Sequence, residues 1–406
     1  MKFAKRMSQL GTETAFDVLA EVEKLKAQGR DIVSFSIGEP DFNTPEHIKQ
    51  AGIKAIEENQ THYGPSAGIR PLQEAICRYI SETRGIPVEP DEVVVTPGAK
   101  PIMFFSLLTC VEEGDEVLYP NPGFPIYESV INFVGARAVP TPLLEEKEFR
   151  FDVEELKRRV TPKTRFIILN SPQNPTGGVL SKSDLEAVAE VAIEHDLWVL
   201  SDEVYSRMQY EGEFLSIASL PEMKERTILL DGHSKTYAMT GWRLGFGVMN
   251  REMAVWITRL MTNSNSCTAT FTQYAGIEAL DGPQEPSQAM VKEFKERRDL
   301  IVKGLNDIEG VTCLTPNGAF YVFPNVTQAC KNLGFKNADE LQHYLLHEAG
   351  VATLARSCFG VRNEGETDEY IRLSYATSKE NIIEGLKRMK EAIEKEGVFW
   401  DPEADG

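Results

Sequence analysis

Five short apolar runs in the middle of the chain constrain its fold more than any other feature. Each is bounded by polar or turn-forming residues, and none shows the alternation typical of a half-exposed strand. Continuous apolar runs that are separated by stretches with helical periodicity are what a parallel sheet buried on both faces requires. The sequence therefore predicts a doubly wound α/β domain. The runs are EVVVT (92–96), EVLYP (116–120), RFIIL (165–169), LWVLS (197–201) and TILLD (227–231).

The chain is long enough for two domains, because it has 406 residues and a domain typically holds about 100 to 200. The α/β pattern extends over residues 47–290, which we assign to a large domain. A long charged helical segment and two short β-like runs, GAFYVFP and IRLSYA, follow it and are typical of an α+β fold. We therefore predict a smaller α+β domain, made of residues 1–46 and 291–406.

Net charge limits the classes of partner. The formal net charge is −19, so the phosphate backbone of a nucleic acid or an anionic membrane would be repelled. No apolar stretch of the sequence is long enough to cross a bilayer. We expect neither nucleic acid nor a membrane as partner, and a small anionic ligand would have to be held by a few local cations or backbone amides.

The cysteines and the N-terminal segment bear on the cellular location. The six cysteines are scattered without a C-x-x-C pair, which argues against a zinc site and against a disulfide framework. The segment MKFAKRMSQLGTETAF has basic residues but no continuous apolar stretch, so it does not resemble a secretory signal. We expect a cytoplasmic protein without a bound metal.

The residues that follow each apolar run are informative, because doubly wound sheets bind ligands beyond the carboxyl ends of their strands. In TPGAK the backbone N–H groups of Gly98, Ala99 and Lys100 would point toward an anion. A tight turn with a helix cap explains this stretch equally well. No G-x-G-x-x-G motif occurs, which disfavours a dinucleotide.

A carboxylate and a lysine follow two consecutive runs. Asp202 in SDEVY comes just after a buried run, where an unpaired charge is costly, so it should meet a cation or a protonated nitrogen. Helix capping is the simpler interpretation of that motif alone. Lys235 in DGHSK ends the next run, and a lysine in a dry pocket gains a lowered pKa and attacks carbonyl groups, as Schiff-base chemistry requires. Arg243 would then bind a phosphate.

Four segments together resemble the class I and II aminotransferases, which are fold-type I enzymes that use pyridoxal 5′-phosphate. The similarity extends from about residue 36 to about residue 378 and is strongest to the aspartate aminotransferases of prokaryotes. It implies a mostly parallel central sheet in the large domain and pyridoxal 5′-phosphate as the cofactor. The four segments are NSPQNPTGG, SDEVY, GHSKTYAMTGWRLG and IRLSYATS.

The resemblance also implies roles around the cofactor ring. Lys235 would bind the cofactor covalently and then move the substrate's proton. Asp202 would keep the pyridine nitrogen protonated, which makes the ring an electron sink. Asn174 and Tyr205 would donate hydrogen bonds to the ring oxygen, and Phe124 would stack on the ring.

The cofactor's phosphate would, by the same resemblance, lie in a cup built from two chains. One chain would supply backbone amides, a hydroxyl and a guanidinium group, and the neighbouring subunit would supply a tyrosine hydroxyl. The resemblance thus implies a homodimer. The residues of the cup are Gly98, Ala99, Lys100, Ser234 and Arg243, with Tyr63 from the neighbouring subunit.

The substrate's carboxylates would meet two further cations. Arg372 would hold the α-carboxylate, together with Asn174 and the backbone of Gly38. In prokaryotic relatives the lysine that matches Lys100 can reach a side-chain carboxylate, which favours aspartate or glutamate with 2-oxoglutarate or oxaloacetate. Alternatively, Lys100 only caps its loop.

The sequence departs from the family pattern at two positions. Gly232 stands where some relatives have a hydroxyl residue, which removes a possible phosphate donor. Arg356 stands where many relatives have glycine, and it could add a cation to the pocket or face solvent.

Three functions remain possible at this point. The resemblance favours an aminotransferase that moves an amino group from an L-amino acid to a 2-oxo acid by a ping-pong mechanism. The same residues support elimination or cyclisation by a lyase or tailoring enzyme, and Arg356 keeps that alternative open. A ligand-sensing regulator on this fold would carry an added DNA-binding segment, and the sequence shows none.

Overall fold

The computed structural model describes residues 2–395. Within them it has one eight-stranded sheet and two small sheets, with helices packed around them. The strands are β1 Val33–Ser34, β2 Val93–Thr96, β3 Glu116–Asn121, β4 Arg137–Leu144, β5 Arg150–Phe151, β6 Thr164–Asn170, β7 Trp198–Asp202, β8 Thr227–Gly232, β9 Gly245–Val248, β10 Tyr321–Val322, β11 Val351–Ala352, β12 Leu354–Ala355 and β13 Ile371–Ser374. The α-helices are α1 Ala15–Ala27, α2 Glu46–Glu57, α3 Arg70–Arg84, α4 Lys100–Cys110, α5 Ile126–Phe133, α6 Val153–Arg159, α7 Lys182–Glu194, α8 His233–Thr236, α9 Arg251–Ser264, α10 Thr270–Asp281, α11 Glu285–Asn306, α12 Thr327–Leu333, α13 Ala338–Tyr344 and α14 Lys379–Ile393.

The large sheet has the strand order β2-β9-β8-β7-β6-β3-β4-β5. The neighbours from β8 to β4 pair in parallel, whereas β9 is antiparallel to both of its neighbours and β5 is antiparallel to β4. All five predicted apolar runs are strands of this sheet. The prediction of a mostly parallel α/β sheet is therefore confirmed.

Three strands of this sheet lack the pattern of a continuous apolar run. The short strand β9 has the sequence GFGV, and glycine is a poor strand former. In β4 buried residues alternate with partly exposed ones and two prolines interrupt the run, as expected near a sheet edge. The edge strand β5 has only two residues.

The connections of the large sheet determine where a ligand can bind. From β3 the chain continues outward to β4 and β5, whereas from β6 it proceeds the opposite way to β7 and β8. Such a reversal opens a crevice at the carboxyl ends of the strands. These ends carry Asn170 on β6, Asp202 on β7 and Gly232 on β8.

The two small sheets bring the N-terminal and C-terminal parts of the chain together. Strand β1 pairs in parallel with β11, and β13 lies between β10 and β12 in antiparallel pairing. A hydrophobic core joins Val33 and Phe35 to Phe294, Phe320 and Ile371. The segment around β1 therefore folds with the C-terminal part of the chain. No helix of residues 2–395 has the length and apolar character needed to span a membrane.

Candidate active site

A cavity of about 540 Å³ lies at the carboxyl ends of β6, β7 and β8. Loops of the large sheet form one wall, and the chain around residues 13–19 and 36–39 forms the other, together with Tyr321. The structure brings most of the predicted site residues to this one cavity. Those that line it are Gly38, Ala99, Lys100, Phe124, Asn174, Asp202, Tyr205, Ser234, Lys235, Arg243 and Arg372.

Lys235 lies in the short helix α8, immediately after β8. Its Nζ donates a hydrogen bond of 2.5 Å to the carbonyl oxygen of Gly38. Desolvation lowers the pKa of Lys235 to about 8, although the negative charges of Glu39 and Glu13 oppose this change. A substantial fraction of the amine is therefore neutral near pH 8, and the neutral amine is the form that attacks a carbonyl carbon.

Asp202 is the last residue of β7 and is buried. Its Oδ2 accepts a hydrogen bond of 2.5 Å from the hydroxyl of Tyr127, which lies in α5. Burial raises the pKa of Asp202 to about 6, although Tyr127 and the charge of Lys235 favour the ionised form. A cationic ligand group beside this carboxylate would stabilise its charge.

Two tyrosines line the cavity together with Lys235 and Arg372. The hydroxyls of Tyr205 and Tyr321 share a hydrogen bond of 2.8 Å. A Cβ atom added to Gly38 would lie 2.3 Å from the Tyr321 hydroxyl oxygen, so only glycine lets the backbone pass this ring.

Arg372 of β13 is buried and has an incomplete set of hydrogen bonds. Its Nη1 donates to Asn174 Oδ1 at 2.9 Å, and its Nη2 donates to the carbonyl oxygen of Ser36 at 2.6 Å. Its Nε is buried and has no hydrogen-bond partner among residues 2–395. A guanidinium with an unused buried donor is suited to bind a carboxylate that enters the cavity.

A candidate anion site lies where β2 leads into α4. Gly98 has φ +83°, and a Cβ atom there would lie 2.2 Å from Arg243 Nη2, so the turn brings backbone and guanidinium close together. Helix α4 begins at Lys100, and Pro101 follows it. As the first residue of the helix, Lys100 has a backbone N–H without a partner inside the helix. The helix N-terminus and Arg243 together favour a phosphate or carboxylate.

Lys100 lines the cavity but already has an anionic partner. Its Nζ lies 2.8 Å from Glu13 Oε2 and 5.1 Å from the centre of the Phe124 ring. Phe124 packs edge-on against Tyr127, with 5.6 Å between the ring centres. The cation at this end of the cavity is therefore available to a ligand only in competition with Glu13.

Three predicted residues do not line the cavity: Tyr63, Arg356 and Gly98, which lies in the turn beside Arg243. Tyr63 is 90% exposed and does not line the cavity of its own chain. Arg356 is fully buried, so both expectations for it, a pocket cation or a solvent-facing side chain, are wrong. Its guanidinium forms a two-point ion pair with Glu366, at 2.6 and 2.9 Å, and donates to Asn121 Oδ1 at 3.1 Å. The ion pair with Glu366 neutralises the buried charge of Arg356, which therefore has a structural role.

A buried ion network beneath the cavity was not predicted. Arg84 of α3 donates to Glu203 Oε2 at 3.1 Å and to Asp231 Oδ2 at 2.5 Å. Glu203 directly follows β7, and Asp231 lies near the end of β8. The network therefore links the residue next to Asp202 with the end of the strand that leads to Lys235. Tyr127 and Tyr321 were also missed, although Tyr127 follows Phe124 by three residues on the way into α5.

Comparisons with known proteins agree with this geometry. The sequence profile of the family Aminotransferase class I and II matches residues 30–389. An aspartate aminotransferase of Bacillus subtilis is 38% identical to this chain, and the comparison covers 97% of this chain and the whole of the relative. An aromatic-amino-acid aminotransferase of Thermococcus litoralis is 41% identical, with 93% of this chain and 96% of the relative covered. The solved structure of a Thermus thermophilus aspartate aminotransferase with maleate has a TM-score of 0.90 at 35% identity, and the comparison covers 97% of this chain and all of that one.

Proposed function

The chain belongs to the class I and II aminotransferases, enzymes that depend on pyridoxal 5′-phosphate, and we propose that it moves the amino group of a dicarboxylic L-amino acid to a 2-oxo acid. One observation carries the substrate proposal: the ammonium group of Lys100 lies on the wall of the cavity that also holds Lys235 and Arg372. A substrate with two carboxylates can therefore meet two cations. The two half-reactions would follow each other in a ping-pong mechanism.

The residues of the cavity fit the cofactor. Lys235 and Asp202 line the cavity, Gly98 allows Arg243 to approach the N-terminus of α4, and the volume of about 540 Å³ can hold a small ligand. Pyridoxal 5′-phosphate supplies an electron sink for negative charge that develops at the substrate's α-carbon.

We propose that Lys235 accepts and returns the proton that moves during the reaction. Its pKa of about 8 lets the amine take a proton from the substrate's α-carbon and return it elsewhere near neutral pH. Asp202 would hold a positive charge on the pyridine nitrogen, and Tyr127 fixes the orientation of that carboxylate through its hydrogen bond. Asn174 and Tyr205 would bind the ring oxygen, and Phe124 would cover the ring.

The anion site would hold the cofactor's phosphate through the backbone of Gly98, Ala99 and Lys100, with Ser234 and Arg243. Tyr63 is 90% exposed in the single chain, so its hydroxyl is accessible to a second copy. We propose that two copies form a homodimer in which Tyr63 completes the partner's site. A size measurement in solution tests this, and a monomer at working concentration would contradict it.

The substrate's α-carboxylate would bind the guanidinium of Arg372, whose Nε is free to donate. Asn174 and the backbone at Ser36 already hold the other nitrogens of this group, so the guanidinium is oriented before the substrate arrives. Such preorganisation lowers the cost of binding.

Two broader assignments remain proposals. We propose that residues 47–290 form a large domain and that residues 1–46 and 291–406 form a small one; the pairing of β1 with β11 supports this division, although residues 396–406 lie outside the described part of the chain. We also propose a cytoplasmic location, which the scattered free cysteines favour. The elimination and cyclisation alternatives lose their support, because Arg356 lies outside the cavity.

A substrate panel tests the proposed function. The half-reaction of the cofactor-loaded protein would be followed by absorbance with aspartate, glutamate, alanine and phenylalanine as amino donors. We expect the two dicarboxylic donors to give the highest kcat/KM. If alanine or phenylalanine exceeds both, the dicarboxylic preference is wrong, although the aminotransferase assignment would stand.

A further inference from the structure

We propose that Glu13 is a specificity residue. Its carboxylate pairs with the Lys100 ammonium, to which the side-chain carboxylate of an acidic substrate would otherwise bind. An acidic substrate must displace Glu13, whereas a substrate with a neutral or apolar side chain leaves the ion pair intact. The inference rests on the proposed function, because it takes the cavity as the substrate site.

The contact between the two side chains carries the inference. Glu13 Oε2 and Lys100 Nζ are 2.8 Å apart, and their side chains are 21% and 49% exposed. Both residues line the cavity. They are 87 positions apart in the sequence, so the pair exists only because the segment before α1 lies across this end of the cavity. A carboxylate of the protein is thus already paired with the cation that a second substrate carboxylate would need.

The surroundings of the pair favour an apolar ligand group while the pair is formed. The segment that carries Glu13 also brings Phe16 and Leu19 of α1 to the cavity, and Phe124 lies beneath the Lys100 ammonium. Phe16 is 60% exposed, which leaves apolar surface open to a ligand. With Lys100 neutralised by Glu13, this part of the wall can accept a hydrophobic side chain without desolvating an unpaired charge.

The exposure of the pair makes displacement feasible. An ion pair in contact with water is weak, because solvent screens it and because holding two long side chains in one geometry costs entropy. A substrate carboxylate offers Lys100 the same chemistry as Glu13, so the two compete on nearly equal terms. Removal of the Glu13 charge should therefore tighten the binding of dicarboxylic ligands by a modest factor, about 3- to 5-fold.

Glu39 provides a matched control. It lines the same cavity, and its negative charge, like that of Glu13, raises the pKa of Lys235. Its Oε2, however, accepts a hydrogen bond from Thr240 at 2.8 Å rather than contacting Lys100. Glu39→Gln removes a charge from the cavity without releasing Lys100, so it separates a general electrostatic effect from local competition.

The test measures the dissociation constants of succinate and of butyrate for the cofactor-loaded protein by calorimetry. We expect Glu13→Gln to bind succinate about 3- to 5-fold more tightly than the wild-type protein does and to bind butyrate equally well. Glu39→Gln should raise the affinity for succinate less than Glu13→Gln does, because it removes a charge from the cavity but leaves the ion pair of Lys100 with Glu13 intact.

The outcomes distinguish this inference from the proposed function. If the wild-type protein prefers succinate to butyrate but Glu13→Gln leaves that preference unchanged, or acts as Glu39→Gln does, the role of Glu13 is wrong and the dicarboxylic preference stands. If neither the wild-type protein nor Glu13→Gln prefers succinate, both the role of Glu13 and the dicarboxylic preference are wrong.

Discussion

The protein controls charge differently in two parts of the cavity, which we call the inner wall and the mouth. Asp202, Tyr127 and Lys235 form the inner wall, and Glu13 pairs with Lys100 at the mouth. On the inner wall Asp202 and Tyr127 are buried, and desolvation moves the pKa of Asp202 up to about 6 and that of Lys235 down to about 8. At the mouth the Lys100 side chain is 49% exposed, so water screens its charge. The comparison suggests that the inner wall determines the reaction and the mouth determines which substrate undergoes it.

The largest expected effect tests the inner wall. Lys235→Ala removes the amine to which we assign cofactor binding and proton transfer, so we expect kcat to fall by at least about 1,000-fold, since both nucleophilic and acid–base catalysis would be lost. The cofactor should still bind, because the anion site is unchanged. Steady-state turnover and cofactor absorbance measure the two properties. Turnover near that of the wild-type protein would show that the inner wall has been assigned to the wrong lysine.

The second effect concerns the buried carboxylate. Asp202→Asn keeps the shape of the side chain but removes the negative charge that we propose lies beside the pyridine nitrogen, so we expect kcat to fall by about 100- to 1,000-fold, as when one electrostatic contact of a dry site is lost. The losses should be equal for aspartate and alanine, because the inner wall acts on atoms that all substrates share. A loss confined to aspartate would contradict this division of roles.

The third effect tests the mouth. Lys100→Ala keeps the backbone amide at the start of α4 and removes the ammonium, so we expect KM for aspartate to rise about 10-fold through the loss of one charged contact. KM for alanine should remain nearly unchanged. Steady-state kinetics with both donors measure this difference. If both KM values rise equally, Lys100 has no part in specificity.

The smallest effect is a pH dependence of the inner wall. The pKa of Lys235 is lowered to about 8, and only the neutral amine attacks a carbonyl, so the attachment of cofactor to the ligand-free protein should accelerate as the pH rises. For a pKa of about 8 the neutral fraction increases about 5-fold from pH 7 to pH 8 and less than about 2-fold from pH 8 to pH 9. Glu13→Gln should move this profile to lower pH, because the Glu13 charge raises the pKa of Lys235. Stopped-flow absorbance measures the rates, and a flat profile would contradict the lowered pKa.

The inner wall could be predicted from the sequence far better than the mouth. Asp202 ends β7 and Lys235 closely follows β8, and both strands are continuous apolar runs because they are buried on both faces. The residues at the ends of such strands meet at one edge of the sheet. The strand β9 was missed because its two glycines give no apolar run.

The mouth could not be predicted because its contacts join distant parts of the chain. The partner of Lys100 lies 87 residues away, and no local pattern shows that α1 crosses this end of the cavity. The error at Arg356 has a related cause: the sequence left a pocket cation or a solvent-facing side chain as the alternatives, but its ion pair with Glu366 and the bond to Asn121 turn it into the protein. The partners of Lys100 and Arg356 both depend on how the folded chain brings residues together, which a single sequence does not show.

The central claim is that the amine on the inner wall, and not the one at the mouth, joins the cofactor to the protein. Reduction of the cofactor-loaded protein with borohydride, followed by peptide mass spectrometry, traps this bond on the residue that forms it. We predict that the pyridoxyl mass appears on the peptide that contains Lys235. A label on Lys100 or on any other lysine, with Lys235 unmodified, would contradict the account.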